Sequence, residues 1–522
     1  MIRLGLILGL YVLAISFLGF FSLQRFSVGL VSITFLFIFL YELRRLFLKN
    51  VNSFRTIHLG KSEKILLVLI VLSCLVNLIG ALSPETAFDG LWYHLTLPKL
   101  YILSQKIYHI PGGLLYYSGL PKFVEILYIP QLMFFSEIQA KLVHFCLGML
   151  SLAALFAVSR RILDSHWALF SVAVFAGNIV FAWETTTAYS DLGWVFYEIL
   201  AFTAFFGFLK TKKSMWLVLL GFMLGFALLT KLTAVISIAI YLILLVVLWR
   251  ERGNFSLLKQ GLTVAFCAVL PVLPWIIFNY ASTGNPLYPF FTDYLRMGSH
   301  LSLEPGLLIR QVLFPADPVS PVYLIFLPLV FLLWRKLDLI HRIVFIYVLL
   351  SFLGWLVISA TGGSRFLLAY LPVYSIGVVM IIKKFSTLWG VNFYKLSLFI
   401  VALLLSVCIA YRFTAQLRYL PYLTGQESKS DFLTKNLNFS FGDFYDSDGY
   451  FAENIRDKDL VLLLGPHNLF YVNFPYVHES WYKGEKITHI IVQNRSLPAG
   501  FNDFREVYRN GVTNVVLYQR LN

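Results

Sequence analysis

The feature that most constrains this chain is a series of apolar segments, each long enough to cross a lipid bilayer. Runs of about 18 or more apolar residues recur along the first four-fifths of the chain, and this length spans about 30 Å of hydrocarbon. Only 13% of the 522 residues are charged, whereas 59% are hydrophobic. A soluble domain carries about twice that charged share. The pattern predicts an all-α polytopic membrane protein.

The excess of positive charge is concentrated between the apolar runs. The net charge is +15, and membrane proteins concentrate Lys and Arg in their cytoplasmic loops. We therefore expect no nucleic-acid partner, and placing every basic cluster in the cytoplasm puts the N-terminus there too. The resulting interpretation is a multi-pass protein of the cytoplasmic (inner) membrane with about thirteen transmembrane helices. The predicted spans are 4–22, 28–43, 64–83, 139–158, 167–184, 191–209, 214–230, 232–249, 260–279, 321–334, 341–359, 366–382 and 393–410.

An odd number of spans leaves the C-terminal part outside and divides the chain into two domains. Residues 1–410 form the predicted transmembrane domain, with large outer loops at 84–138 and 280–320. In the first loop, the short segment FVEILYIPQLMFF contains a charge and a proline, so we expect it to lie along the membrane interface. Residues 411–522 carry more charge and short β-like runs, which predict a small α/β extracytoplasmic domain. The β-like runs are 459–465, 489–494 and 512–519.

Isolated ionisable residues stand at the ends of the spans, and the predicted topology places them outside. Asp89 lies in the first outer loop, Asp191 opens a later span, and Lys231 and Arg365 stand at two further span ends. Two carboxylates can divide the roles of general base and charge or metal holder. Cations at the lipid boundary can hold a phosphate and stabilise it as it leaves. This combination predicts a site for a lipid-phosphate donor.

Each of these residues also has a purely structural interpretation. A charged residue at a span end is commonly an interfacial anchor or a helix cap. Asp191 is also explained as a group that stabilises the start of its helix, and Lys231 as a solvated hairpin tip. The Gly-Asn-Pro of TGNPLYPF is a turn signal. Because these residues converge on one face, a purely structural role is less plausible for all of them together. It stays open for each residue taken singly.

The stretch ETAFDGLWYHLTLPKLYI resembles the first extracytoplasmic loop of the GT-C superfamily of integral-membrane glycosyltransferases. It is most similar to bacterial members related to protein O-mannosyltransferases and lipid A aminoarabinose transferases. Those enzymes have an acid soon after an early span with a Tyr four positions on, here Asp89 and Tyr93, and a second Asp that opens a later span, here Asp191. The segments LLTKLTAV, FNYASTGNPLYPF and GGSRFLLAYLP are also similar to recurrent segments of these relatives.

The resemblance implies a GT-C-like fold and a mechanism. A sugar is carried on a polyprenyl phosphate, and Lys231 and Arg365 hold that phosphate. Asp89 acts as base on an acceptor hydroxyl, which attacks the anomeric carbon and inverts it, while Asp191 orients the site. Further residues are expected to bind substrate: Tyr93, His94, Lys99, Asn285 and Tyr288.

The chain also departs from its relatives, which leaves parts of this mechanism open. Many relatives have paired acids at the first site, whereas Asp89 is followed by Gly90. A divalent metal, with Asp89 and Asp191 as its ligands, therefore stays an open question. So does the acceptor, which is a glycan, a lipid or a protein. Membrane lipids are the remaining expected partners.

Two other classes of membrane protein stay in view. A transporter is expected to bury ionisable groups near the bilayer midplane, and Glu198 is the main ionisable residue deep within a span. A polysaccharide polymerase or ligase of another membrane fold is expected to carry its catalytic groups in a late outer loop. The candidates there are Arg296, His300, Glu304 and Arg310.

Overall fold

The structure, a computed structural model, describes residues 1–55, 60–252, 256–294, 306, 310 and 317–521. It consists of a large helical body followed by a small mixed α/β domain. The helices of the body, in chain order, are α1 (Ile2–Phe21), α2 (Arg25–Arg55), α3 (Lys61–Ala81), α4 (Thr96–Leu103), α5 (Phe123–Phe134), α6 (Glu137–Ile162), α7 (Ser165–Ala176), α8 (Ile179–Glu184), α9 (Asp191–Thr211), α10 (Met215–Thr230), α11 (Val235–Arg252), α12 (Leu257–Val269), α13 (Leu273–Thr283), α14 (Val322–Phe326), α15 (Val330–Leu333), α16 (Leu339–Gly362), α17 (Leu371–Trp389) and α18 (Val391–Gln416).

Within the described residues, nine helices are long and apolar enough to cross a membrane. The count reaches ten if α12 and α13, which meet at 57°, form one span. The all-α polytopic fold is therefore confirmed, whereas the predicted count of thirteen is not established. The predicted span 167–184 divides into α7 and α8, because the Asn178 side chain donates to the carbonyls of Val174 and Phe175 and ends α7. The predicted span 321–334 is a series of short helices around Pro328.

Helix α9 forms the centre of the helical body. Its most apolar window is 94% buried within the protein. Apart from a few polar residues, apolar side chains cover all sides of the helix, as expected for a helix surrounded by others. Asp191 is its first residue, so the helix fixes that carboxylate at one end of the body. Helix α10 returns antiparallel and ends beside it, just before Lys231.

The chain between α3 and α6 forms a folded layer at the same end of the body. It contains a π-helical turn (Gly90–His94), α4, a 3-10 turn (Tyr116–Gly119) and α5. Helix α5 does not expose an interfacial face, because its residues from Phe123 to Pro130 are all buried. Its charged residue, Glu125, pairs with His94 at 2.6 Å. This internal partner lets α5 pack inside the protein, contrary to the predicted interfacial position.

The C-terminal domain is built on a five-stranded mixed sheet of order β2-β1-β3-β5-β4. β1 pairs parallel with β2 and β3, whereas β5 pairs antiparallel with β3 and β4. The three predicted β-like runs are β1, β3 and β5. β2 and β4 were not predicted, because one has three residues and the other is largely polar. The elements are α19 (Leu420–Leu423), α20 (Lys429–Asn436), α21 (Tyr450–Asn454), β1 (Val461–Leu464), β2 (Tyr476–His478), β3 (His489–Gln493), β4 (Phe504–Asn510) and β5 (Val515–Arg520).

Candidate active site

Two carboxylates and two cations from four separate segments meet at one end of the helical body. Arg365 Nη1 donates to Asp89 Oδ2 at 2.9 Å, and Lys231 Nζ donates to Asp191 Oδ1 at 2.6 Å. Arg365 Nε lies 3.9 Å from Asp191 Oδ2. The guanidinium therefore stands between the two acids, and we call these four residues the charged cluster.

The ends of two helices and two short turns position the charged cluster. Asp191 begins α9 and Lys231 follows the end of α10, so the antiparallel pair brings them together. Arg365 lies in the 3-10 turn Gly363–Leu367, which joins α16 to α17. Asp89 immediately precedes the π-helical turn of the first loop. The N-cap of α9 is Ser190, and the Asp191 side chain is used by Lys231 instead of capping the helix.

The charged cluster is shielded from water but keeps unused hydrogen-bonding capacity. The side chains of Asp89, Lys231 and Arg365 are each 17% exposed, and that of Asp191 is 2% exposed. Arg365 Nε and Asp191 Oδ2 are buried without a hydrogen-bond partner. Shielding strengthens electrostatic interactions, and the spare guanidinium N–H can bind a further anionic group.

Aromatic rings support both cations of the cluster. Lys231 Nζ lies 4.2 Å from the centre of the Phe366 ring, and the Arg365 guanidinium lies 5.1 Å from that of Tyr189. The faces of such rings attract cations. Tyr189 also accepts a hydrogen bond from the Asp89 backbone N–H through its hydroxyl. It therefore holds the first acid and the guanidinium in one place.

Sequence reasoning did not assign a role to Glu85, which ties together the two acid-bearing segments. Its Oε1 accepts from the backbone N–H of Ala87 at 2.7 Å, two residues before Asp89. Its Oε2 accepts from the N–H of Ala188 at 2.5 Å, three residues before Asp191. A carboxylate that accepts hydrogen bonds from the backbone of both segments is a strong link between them. The signal was present in the sequence, since Glu85 opens the stretch that contains Asp89.

Two further acids lie near the cluster and were also missed. Glu184, at the end of α8, is fully buried, and neither of its carboxylate oxygens has a hydrogen-bond partner. His144 Nε2 lies 4.0 Å from Glu184 Oε2. Asp317 is half-buried, and burial raises the pKa of its carboxyl against the opposing effect of the Arg365 charge. Sequence reasoning absorbed Glu184 into a predicted span.

Tyr93, predicted to bind substrate, is in the electrostatic field of the cluster. Burial, followed by the negative charge of Asp89, raises the pKa of the Tyr93 hydroxyl, so that hydroxyl stays protonated. Its ring stacks parallel to that of Tyr117 with 3.8 Å between centroids. Tyr93 thus belongs to an aromatic group that borders Asp89.

The other predicted substrate-binding side chains make contacts within the protein. His94 pairs with buried Glu125, and Lys99 Nζ donates to the carbonyls of Phe470 and Val472, each at 2.6 Å. In the TGNPLYPF turn, the side-chain NH₂ of Asn285 donates to the Phe290 carbonyl at 2.8 Å. The Tyr288 ring packs edge-on against His109 with 4.8 Å between centroids. None of these four is in the charged cluster.

The described residues do not fit a divalent metal at this position. They contain no group of three or more His, Cys, Asp or Glu side chains that could hold a metal ion. The two acids suggested as ligands, Asp89 and Asp191, are each paired with a cation instead. A bound cation would have to displace Arg365 and Lys231, so no step is assigned to a metal.

Comparisons with known proteins agree with this architecture. Residues 126–275 match the family model described as dolichyl-phosphate-mannose-protein mannosyltransferase. The chain is similar to the structure of ArnT from Cupriavidus metallidurans in the apo state, with a TM-score of 0.60, 12% identity, and coverage of 87% of this chain and 97% of that chain. The ArnT structure bound to undecaprenyl phosphate gives a TM-score of 0.57 and 14% identity over the same shares of the two chains. None of the curated proteins has a significantly matching sequence.

These similarities show the fold of the chain. It is similar to the fold of ArnT along most of both chains, and the mannosyltransferase family model matches part of the helical body. The predicted resemblance to the GT-C superfamily is therefore confirmed, together with a multi-pass membrane architecture and a small C-terminal domain.

Proposed function

We propose that this protein is a membrane glycosyltransferase that moves a sugar from a polyprenyl-phosphate carrier to an acceptor hydroxyl, with inversion at the anomeric carbon. The observation that carries the proposal is the charged cluster. It joins two cations, which can bind a phosphate, to two carboxylates, one of which can act as a base. ArnT, which has a similar fold, was solved with undecaprenyl phosphate, and we assign the same kind of carrier to this chain.

Lys231 and Arg365 are the proposed phosphate ligands. Arg365 Nε donates no hydrogen bond. Lys231 Nζ donates to Asp191, although an ammonium has three donors. Both groups therefore have donors left for phosphate oxygens. The phosphate gains negative charge when the sugar leaves, so its attraction to the two cations grows toward the transition state.

Asp89 is the proposed general base. In the reaction the acceptor oxygen forms a bond to the anomeric carbon, and the bond from that carbon to the phosphate oxygen breaks. The hydroxyl proton passes to the Asp89 carboxylate, and the bonding electron pair leaves with the lipid phosphate. Asp89 has the exposure such a role needs, since 17% of its side chain reaches solvent. Asp191, at 2% exposure, is better suited to hold the two cations in position.

The orientation follows from the charge distribution. We infer that the protein lies in the cytoplasmic (inner) membrane, with its N-terminus in the cytoplasm and both the charged cluster and the C-terminal domain on the extracytoplasmic face. The basic loops between helices then lie on the opposite side. A donor whose polyprenyl tail stays in the bilayer would present its phosphate near the span ends that carry Lys231 and Arg365.

The test is transfer by the purified full-length protein in lipid nanodiscs, with radiolabelled polyprenyl-phosphate sugars and membrane extract as acceptor. Asp89→Asn is expected to lower transfer roughly 100-fold or more, because it removes the base. Asp191→Asn is expected to lower it as well, through loss of the Lys231 partner. Asp503→Asn, which changes an exposed surface ion pair, is the control and should retain transfer. Wild-type rates for both Asp89→Asn and Asp191→Asn would refute the proposal.

The polymerase or ligase alternative depends on the late outer loop. Arg296, His300 and Glu304 lie outside the described residues, and the described Arg310 is exposed. The same transfer assay separates the two functions, since Arg310→Gln should be inactive only if the late loop carries the chemistry.

The transporter alternative rests on Glu198, which lies within α9. This carboxylate accepts a hydrogen bond from Tyr347 Oη at 2.7 Å and is fully buried. Its known partner is thus a protein hydroxyl inside the helical body. The convergence of charges at the end of the body favours surface chemistry over passage through the bilayer.

A further inference from the structure

The C-terminal domain is fastened to the first loop beside Asp89. Lys99 Nζ donates to two carbonyls of the domain, those of Phe470 and Val472. In the opposite direction, Tyr471 Oη donates to the Glu85 carbonyl at 2.9 Å. These bonds join the segment that carries Asp89 to the segment that follows β1. The C-terminal domain therefore forms part of the wall of the candidate active site.

Four aromatic side chains meet along this junction, two from the first loop and two from the C-terminal domain. The rings of Phe88 and His467 stack at 5.1 Å and 22°, Trp92 lies 4.5 Å from His467, and Phe441 meets Phe88 edge-on at 5.5 Å. We call these four residues the aromatic platform. Phe441 is 65% exposed, and the other three are half-buried. The ring of Phe441 therefore has surface that a ligand can contact.

Hydrogen bonds fix the tautomer of His467. Asn468 Nδ2 donates to Asp443 Oδ1 at 2.5 Å, which orients the amide. The oxygen of that amide then lies 3.2 Å from His467 Nδ1 and can only accept, so Nδ1 carries the hydrogen. Burial lowers the pKa of His467, which favours the neutral ring. Nε2 is then a hydrogen-bond acceptor, and no partner for it is found among the described residues.

We propose that the aromatic platform is the acceptor subsite and that it binds a pyranose ring of a glycan. This inference rests on the proposed function, because Asp89 is then the base that the bound hydroxyl reaches. The platform begins at Phe88, next to Asp89 in the chain. Burial lowers the pKa of His467 and the negative charge of Asp89 opposes that effect, so the platform lies within electrostatic reach of the proposed base.

The chemistry of the platform matches one face of a sugar. The face of an aromatic ring is negative and its edge positive, so it attracts the C–H groups on the apolar face of a pyranose. The hydroxyl groups at the rim of the sugar need acceptors, and His467 Nε2 supplies one. A lipid chain has no hydrogen-bond donor for that nitrogen, and the oxygens of an anionic phosphate would be repelled by the lone pair of the unprotonated Nε2.

The test is saturation-transfer NMR with full-length protein in detergent, with the methyl pyranosides of glucose, galactose, mannose and N-acetylglucosamine as probes. Wild-type protein should transfer saturation to the C–H protons of at least one probe. Phe441→Leu keeps an apolar side chain but removes the ring, and should weaken binding roughly 3- to 10-fold. His467→Phe keeps the stack and removes the acceptor nitrogen, so it should weaken binding as well.

Two controls make the result specific. Phe501→Leu is the matched change at a half-buried phenylalanine that packs against a separate core cluster, and should bind the probes as wild type does. Asp503→Asn, a change in an exposed surface ion pair, should also bind them. The inference is overturned if no pyranoside binds, or if Phe441→Leu binds as well as Phe501→Leu. Because this assay contains no lipid-linked sugar, its failure is independent of the transfer assay that tests the proposed function.

Discussion

Arg365 shows why single residues in this protein have to be interpreted through their partners. It is bonded to Asp89, 276 positions away in the chain, and stands near Asp191. The sequence predicts that all these residues lie at the extracytoplasmic face. Successive spans alternate in direction, and the basic loops identify the cytoplasmic side. The sequence did not predict which cation pairs with which acid, since the turn Gly363–Leu367 decides that in three dimensions.

Two residues predicted to bind substrate have partners within the protein that no local sequence pattern indicates. His94 pairs with Glu125 31 positions later, and Lys99 binds carbonyls more than 370 positions away. Backbone carbonyls leave no trace in the sequence, so the inward-facing lysine was indistinguishable from a substrate ligand.

At this scale, the Lys231–Asp191 pair makes a prediction that separates stability from chemistry. Lys231→Met should lower the stability of the protein by about 3 kcal/mol, because it leaves a buried carboxylate without its closest partner. Adding Asp191→Asn should restore most of that stability but not sugar transfer. Thermal unfolding in detergent and the transfer assay measure the two effects.

Lys213→Met, an exposed change, serves as the control for both measurements. Equal melting of the single and double variants would show that the two side chains are not energetically coupled.

The secondary-structure elements were predictable where one physical rule dominates. Long apolar helices such as α3 and α9 follow from hydropathy alone. The same rule failed at α7 and α8, because Asn178 satisfies carbonyls at the end of α7 and stops the helix. It also failed at α5. Its proline and its charged residue Glu125 suggested an exposed helix, but Glu125 pairs with His94 inside the protein.

Strand β2 carries a histidine that should make the C-terminal domain sensitive to acid. His478 Nε2 lies 3.0 Å from the Pro466 carbonyl, while its Nδ1 accepts from the Ser480 N–H at 3.0 Å. Burial lowers the pKa of His478 to about 4, from the ordinary value of 6.5. The unfolded chain therefore binds the proton more strongly, and stability falls as the pH drops below about 6.5.

Between about pH 7 and about pH 5 the expected loss is about 2 kcal/mol. Thermal unfolding of the full-length protein at the two pH values measures it. The variant His478→Gln removes the titrating ring, so its unfolding temperature should change less over the same interval. An unchanged pH dependence in the variant would assign the acid sensitivity to other groups.

For the whole molecule, the predicted sidedness and the observed contacts support each other. The positive-inside rule placed the first loop and the C-terminal region on one face from charge alone. The structure joins them directly through Lys99 and Tyr471. The presence of a helical body and of a small sheet domain was thus predictable from the sequence. The number of membrane-spanning helices was not, because hydropathy does not show whether several short or bent helices cross the membrane.

Cysteine labelling tests this sidedness. With the four native cysteines replaced by alanine, Lys106→Cys in the first loop and Asp503→Cys in the C-terminal domain should react with an impermeant maleimide in intact spheroplasts. Lys213→Cys, between α9 and α10, should react only after permeabilisation. All three positions are exposed, so access to the reagent is set by the membrane. Labelling of position 213 in intact spheroplasts, or the absence of labelling at positions 106 and 503, would show that the predicted topology is wrong.

The bonds from the first loop to the segment after β1 also have a consequence for biogenesis. Asp89 leaves the ribosome early, yet its guanidinium partner follows 276 residues later, and the chain that closes the junction comes about a hundred residues after that. If the proposed function holds, a nascent chain is therefore inactive while it is being inserted into the bilayer. Sugar transfer then begins only after the C-terminal domain has folded against the first loop.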